Sequence, residues 1–502
     1  MDDSFMHALL ETVATDPTEE IVIRWKRLIS TRRPKRRGGW QKLVPRSDRA
    51  STGLTYFERF RLGWESSEIA KDLEKDNYDD KSHDGLDFRR TYGVPRRLFD
   101  TLVSEAAALP AIRCVKAAGD GTRRGGPTTV PVSIKLAATL LRCKSALPWR
   151  LAARKLGKIS ERTAGRFSEA LFRGMVEHHY DTHVHPPRTP HEIQKVLDRH
   201  DRMGFPGCIS MWDGVPVAWD ACPSAEMWLN KGKEGYPTRK YLVAGEGTGI
   251  IHEVTGSFIG TANDLTMSMH SSFYRDLRFG DSWDEVTYEL YTDPVTKARD
   301  TFKRPWCITD NGLHKWSINM MPERTASEIW LRRWSKRLES ARKPGSECIF
   351  GRWKKVWRIM DRGLDDSNVS YIDDMARFTV MLHNRCLRYD NLHTIGDFED
   401  DWINLARMAI DDSRIWVQEP LHADYNIDPA AAAMNAELQV ELGWLSWRTK
   451  LVTHYRTCWT AQEVQWPKTA TKARGLRQDL RPKLCAKGHG LRIRQEWEAN
   501  LA

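Results

Sequence analysis

Three acidic residues stand where acids can do chemistry. Asp213 closes the apolar run Cys208-Ile209-Ser210-Met211-Trp212, and Asp310 closes the run Pro305-Trp306-Cys307-Ile308-Thr309. Glu347 falls in the first turn of a predicted helix, just after the break at Pro344-Gly345. Carboxylates at the ends of different strands can converge at one end of a sheet, and a helical acid packed across that end completes a cluster. Hard divalent cations such as Mg2+ prefer oxygen ligands and keep several waters, so one or two carboxylates per ion suffice. Two such ions about 3.5–4 Å apart can activate an attacking water and stabilise the leaving oxygen of a phosphodiester. Left unpaired in one cleft, three carboxylates repel one another and their pKa values rise. Spacing alone leaves another account open, because strand-end acids are often turn residues or caps and the chain holds 67 Asp and Glu.

The elements that must position these acids follow from periodicity. At 502 residues the chain has room for roughly two to four domains. Its 40% hydrophobic and 29% charged content is that of a globular protein. From about 86 to 185 the pattern is helical: Leu136, Leu140 and Leu141 share one face, as do Trp149, Ala152, Ala153 and Leu156, which Gly157 ends. Ser160 is a plausible N-cap for a helix carrying Arg162, Arg166, Phe167 and Leu171. Two short helices across a tight turn make a helix-turn-helix candidate in which Arg162 and Arg166 reach DNA. An ordinary helical hairpin with a solvated basic face fits the same residues equally well.

From about 205 the pattern changes to strands. Beyond the run ending at Asp213, Lys240 to Ala244 and Ile251 to Ile259 read as two strands joined by the glycine-rich turn Gly245-Glu246-Gly247-Thr248-Gly249. Helices are expected from Ala326 to about Ala341, from Ser346 to about Met360, and near 370–388.

With 78 Lys and Arg the formal net charge is +11, and the excess is uneven. Basic residues crowd Arg24 to Arg49 and again Lys468 to Arg494, and such runs steer polyanions to a surface. The run Arg32-Arg33-Pro34-Lys35-Arg36-Arg37 also fits a nuclear import signal. Nine scattered cysteines form no C-x-x-C pair, which excludes a zinc ribbon or thioredoxin motif and fits reduced thiols. Neither a secretory leader nor a membrane span is expected.

Several short segments carry a resemblance. Gly204-Phe205-Pro206-Gly207, Asp213, Trp219 and Cys222-Pro223-Ser224-Ala225 resemble the opening of the PIF/Harbinger transposase catalytic domain, and Lys240-Tyr241 fits its next element. Ala262-Asn263-Asp264-Leu265 is similar to that family's Asn-Asp motif. Ile308-Thr309-Asp310-Asn311-Gly312 with Lys315-Trp316 is similar to its second-aspartate segment. Glu339-Ser340-Ala341-Arg342-Lys343 and Glu347-Cys348-Ile349-Phe350-Gly351 resemble the segment carrying its glutamate, and Leu382-His383-Asn384 its Leu-His-Asn helix. The similarity runs from roughly Phe88 to Asn384, with a weaker echo near 430–460.

The resemblance implies an α/β fold with an RNase H-like mixed sheet of about five strands flanked by helices. It implies a metal-dependent DNA endonuclease or transposase with the acidic triad Asp213, Asp310 and Glu347, and with Glu339 as the fallback for the glutamate. Asp264 would be a fourth metal ligand or a structural residue. Two divalent ions, Mg2+ or Mn2+, would be the cofactor. Double-stranded DNA would be the substrate, contacted by Arg162, Arg166, Lys315, Arg342 and Lys343. A separate Myb-like DNA-binding partner and a nuclear site of action are also implied, and an oligomer is compatible with it. The expected organisation is a basic, partly disordered arm at 1–85, a helical helix-turn-helix-like domain at 86–199, the catalytic domain at 200–390, and a helical extension with a basic tail at 391–502. A domesticated, catalytically silent DNA-binding or scaffold protein is the alternative, and a nuclease acting on RNA or hybrids a third reading.

Overall fold

The computed structural model describes residues 65–112, 130–155, 161–323, 326–404, 441 and 443–467, and all of these fall in one compact unit. The basic arm up to residue 64, the expected turn at Gly157 to Ser160, and the basic tail from Lys468 lie outside the described residues.

Among the described residues seven helices precede the sheet: α1 (Glu68–Glu74), α2 (His83–Tyr92), α3 (Arg96–Ala108), α4 (Val132–Ser145), α5 (Trp149–Lys155), α6 (Glu161–His183) and α7 (Pro190–Arg202). Their ends follow ordinary capping chemistry. The Ser67 and Ser82 hydroxyls accept the backbone N–H groups of Ala70 and Gly85 at the starts of α1 and α2. Thr189 and Glu192 form a reciprocal capping box at α7, with Pro190 as its first residue. The sheet region comprises β1 (Cys208–Ala218), α8 (Met227–Asn230), β2 (Thr238–Gly245), β3 (Ile251–Val254), β4 (Phe258–Ile259), α9 (Asp264–Met269), α10 (Ser272–Phe279), the hairpin β5 (Thr287–Tyr291) and β6 (Arg299–Lys303), β7 (Trp306–Ile308) and β8 (Asn319–Met320). The charged stretch between Met269 and Thr301 thus supplies a helix and most of a hairpin. Then follow α11 (Ile329–Gly345), α12 (Glu347–Val356), α13 (Ile359–Arg362), α14 (Val369–Tyr389), β9 (Trp402–Asn404), α15 (Trp444–Thr460) and β10 (Gln465–Pro467).

The main sheet is mixed, in the order β3-β2-β1-β7-β8 with β4 added to β2. β1, β2 and β3 pair antiparallel, while β1–β7 and β7–β8 pair parallel. Helices cover both faces, as parallel pairing requires. Because side chains alternate along a strand, β1 and β2 divide their residues between two cores. Trp212, Leu242 and Ala244 pack with Met267, Phe273 and Tyr274 of α9 and α10. Val215, Val217, Tyr241 and Val243 pack with Ile349 and Trp353 of α12, in a cluster that also takes in Leu136, Leu140, Phe172 and Phe378 of the surrounding helices. Met211 and Ile308 meet Leu338 and Ala341 of α11 in a third cluster.

Two local expectations are corrected. β1 does not stop at Asp213 but pairs with β2 through Ala218, because Val215 and Val217 still have a core to face. α11 runs on to Gly345 with Pro344 inside its last turn, and the break falls at Ser346 instead.

Candidate active site

The sheet opens where one strand ends before its neighbour. β7 stops at Ile308, paired with Met211, whereas β1 continues to Ala218 beside β2 alone. Asp213 and Asp310 each lie two residues beyond that last parallel couple, so they stand next to each other at the opening. Asp213 is half-buried and accepts the Gly214 N–H at 2.9 Å, while the Asp310 carboxylate accepts the Asn311 N–H at 2.8 Å. Burial pushes the Asp213 carboxyl up to about 6; the Arg342 guanidinium pulls it down, and the Asp310 charge pushes it up again. Beyond Asp213 the free edge of β1 accommodates Pro216, whose carbonyl accepts Lys354 Nζ at 2.5 Å.

α11 and α12 bring two more charges to the same face of β1. A non-helical break at Ser346 separates the helices. Gly345 presses against Met211 so closely that a Cβ there would collide with the Met211 side chain. This approach delivers Arg342 from the last turn of α11 and Glu347 from the first turn of α12. Arg342 Nη1 donates to Asp213 at 2.5 Å, and its Nη2 donates to Glu347 at 3.0 Å. The arginine side chain is 6% exposed, that of Asp213 17% and that of Glu347 50%. Both helix ends favour these signs of charge, a cation near a C-terminus and an anion near an N-terminus.

Asp264 approaches from the other face. It opens α9, capped by the Asn263 side chain, which accepts the Thr266 N–H at 2.7 Å. Its carboxylate lies against Gly214 and Gly312, 2.7 Å and 3.1 Å from where a Cβ on each would be. Lys240, on the same face of β2, donates to the Ala262 carbonyl at 2.9 Å. Burial raises the Asp264 carboxyl, Lys240 and Lys233 lower it, and Asp310 raises it. Asp310 is therefore felt by both Asp213 and Asp264, which stand on opposite faces of β1.

Carboxylate oxygens are the right donors for a hard divalent cation. Their positions are not those of a cation site as they stand. Among the described residues no three His, Cys, Asp or Glu side chains form a group that could hold a metal ion. The guanidinium of Arg342 fills the space between Asp213 and Glu347, and Asp264 is across the strand.

Residues 212–384 match the DDE superfamily endonuclease family. This stretch contains Asp213, Asp264, Asp310, Arg342 and Glu347. No curated protein and no solved structure matches the chain. A DDE endonuclease segment built on a mixed sheet supports nuclease or transposase-like activity, and DDE endonucleases generally use divalent metals.

Around the DDE endonuclease segment the remaining residues separate by burial. Arg342, expected to contact DNA, is buried against Asp213 and Glu347, while its neighbour Lys343 is exposed. Lys315 is exposed, with Nζ 5.6 Å from the centre of the Trp444 ring. Arg162 and Arg166 are exposed on α6, a single 23-residue helix. Trp212 is fully buried against Phe273 and Tyr274, and Trp219 is buried with its indole N–H donating to the Asp366 carbonyl. His383 is a core residue bonded to the Gly249 carbonyl, held neutral by burial with a pKa lowered to about 4. His314 stacks on Trp316 with ring centres 4.2 Å apart. Sequence reasoning missed Lys240 as a positive charge acting on Asp264 and Lys354 as the prop of β1. The period-two pattern of β2 marks Lys240 as sharing a face with Leu242, whereas nothing local marks Lys354. Among the described residues no helix is long and apolar enough to cross a membrane.

Proposed function

We propose that this protein is a metal-dependent DNA endonuclease of the PIF/Harbinger transposase type, built on an RNase H-like core. The observation that carries the reading is the pairing register. It sets Asp213 and Asp310 next to each other just past the last parallel pair of β1 and β7, inside the segment that matches DDE superfamily endonucleases, with Glu347 one guanidinium away. The antiparallel and parallel halves of the sheet support the RNase H-like assignment.

In the proposed reaction a water oxygen bonds to phosphorus at a transposon end, the bond to the 3′ oxygen breaks, and that oxygen takes up a proton. In strand transfer the oxygen of the 3′-hydroxyl loses its proton and bonds to a target phosphorus, the bond from that phosphorus to its own 3′ oxygen breaks, and that oxygen takes up a proton. Asp213, Asp310 and Glu347 are the proposed catalytic carboxylates, with Asp264 as an additional ligand or a structural residue. Two Mg2+ or Mn2+ ions are the proposed cofactor. Exposed Lys315, Lys343, Arg162 and Arg166 are placed to hold phosphates, contacts that position a duplex without reading its sequence. The four-part domain division, a Myb-like partner and a nuclear location belong to the same proposal.

A catalytically silent DNA-binding or scaffold protein is the second reading, and the Arg342 ion pairs favour it because they neutralise Asp213 and Glu347. Incubation of the protein with supercoiled plasmid, RNA and an RNA–DNA hybrid in Mn2+ separates the readings. Nicking of the plasmid supports the endonuclease. Salt-sensitive binding without nicking supports the scaffold, and cleavage confined to RNA or hybrid overturns both.

A further inference from the structure

We propose that Arg342 stands in the position a divalent cation takes in this centre, so that cation binding and the Arg342 ion pairs exclude each other. This rests on the endonuclease reading and adds to it a built-in competitor for the metal.

Four observations converge. The guanidinium joins Asp213 of β1 to Glu347 of α12 at 2.5 Å and 3.0 Å, the role a bridging cation plays between two carboxylates. With 6% of its side chain exposed, its charge is withdrawn from water, and a desolvated charge persists only while its counter-charges are present. Asp213, 17% exposed, depends on a cation in the same way, so removing Arg342 leaves it in need of a replacement with Glu347 beside it. The Nε lacks a hydrogen-bond partner, so the two ion pairs through the Nη atoms are what hold the head group. Finally, Glu347 is half exposed, which leaves the ion an entrance from solvent on the α12 side.

The charge comparison favours exchange. A divalent ion brings twice the charge of a guanidinium and accepts oxygen ligands from several directions, whereas the planar guanidinium requires its N–H groups to line up with each carboxylate. Lys240 cannot play the same part, because it stands on the Asp264 face of the sheet. The measured affinity for metal is then the intrinsic affinity reduced by the fraction of molecules in which Arg342 has swung out.

The test is Mn2+ binding to the full-length protein, followed by isothermal titration calorimetry and by the loss of free-Mn2+ signal in electron paramagnetic resonance. Arg342→Gln removes the competing charge, and Arg342→Lys keeps one charge that cannot bridge both acids. We expect Arg342→Gln to bind Mn2+ at least about tenfold more tightly than the wild type, with Arg342→Lys in between. Metal-free Arg342→Gln should also melt below the wild type and recover on adding Mn2+. If Arg342→Gln does not fold, Arg342→Lys carries the comparison. Wild-type binding of Mn2+ with equal or weaker binding by the folded variants overturns the competition and leaves the endonuclease reading intact. Absence of Mn2+ binding in every form overturns both.

Discussion

Asp213 and Asp310 each lie two residues past the last residue pair that β1 and β7 share, Asp213 still on β1 and Asp310 just beyond the end of β7. The relationship arises from unequal strand lengths. β7 ends after three residues, β1 runs for eleven, and the difference creates an opening in which burial and the Asp310 charge raise the Asp213 carboxyl.

The scaffold behind the opening depends on a buried ion network. Arg199 of α7 bonds Glu246 in the β2–β3 turn at 3.2 Å and Asp397 at 2.6 Å, with the arginine side chain 13% exposed. Arg199→Ala leaves Glu246 buried without its main counter-charge. Unfolding in urea should show a loss of about 3–5 kcal/mol. A change of a few tenths would mean that water replaces the guanidinium.

Gly345→Ala should act against the usual trend. In an ordinary helix the change gains up to about 1 kcal/mol. Here the new methyl meets the buried Met211 side chain, and overpacking of this kind costs about 1–3 kcal/mol. The melting temperature of the variant settles the sign. Gly345→Ala combined with Met211→Ala should recover part of the loss.

Asp213 and Asp310 were legible because each closes an apolar run inside a segment that resembles a known family; spacing alone fitted turn residues or caps as well. Helices α11, α12 and α14 were legible from their apolar spacing. The extent of β1 was not, since Gly214 and Pro216 read as strand breakers and only the missing neighbour on the β7 side makes the proline acceptable. Arg342 was expected to contact DNA together with Lys343; its burial depends on how α11 lands on Met211. Asp264 was expected either as a fourth metal ligand or as a structural residue, ranked below the other three acids. Its position across β1 depends on which way α9 packs, and no spacing along the chain encodes that.

Stability should fall with acid over a defined window. His200, His252, His383 and His454 are buried, and burial lowers each pKa to about 4. A histidine whose folded pKa lies below its unfolded value contributes stability that is complete above about 6.5 and is lost as pH falls through the folded value. Asp213 and Asp201, both raised to about 6, oppose part of this loss because their folded forms bind protons more readily. The melting temperature should hold steady above pH 7 and drop between pH 6.5 and 4. His383→Gln, which removes one of the four histidines, should make that drop shallower.

The central claim, that the paired aspartates cut DNA, is met most directly by Asp310→Asn. The substitution keeps the shape of the side chain and removes its charge. In Mn2+ the wild type should nick supercoiled plasmid, and Asp310→Asn should lower the rate on the order of 10²–10³-fold, with circular dichroism and melting temperature retained. Nicking by Asp310→Asn at the wild-type rate would contradict the account.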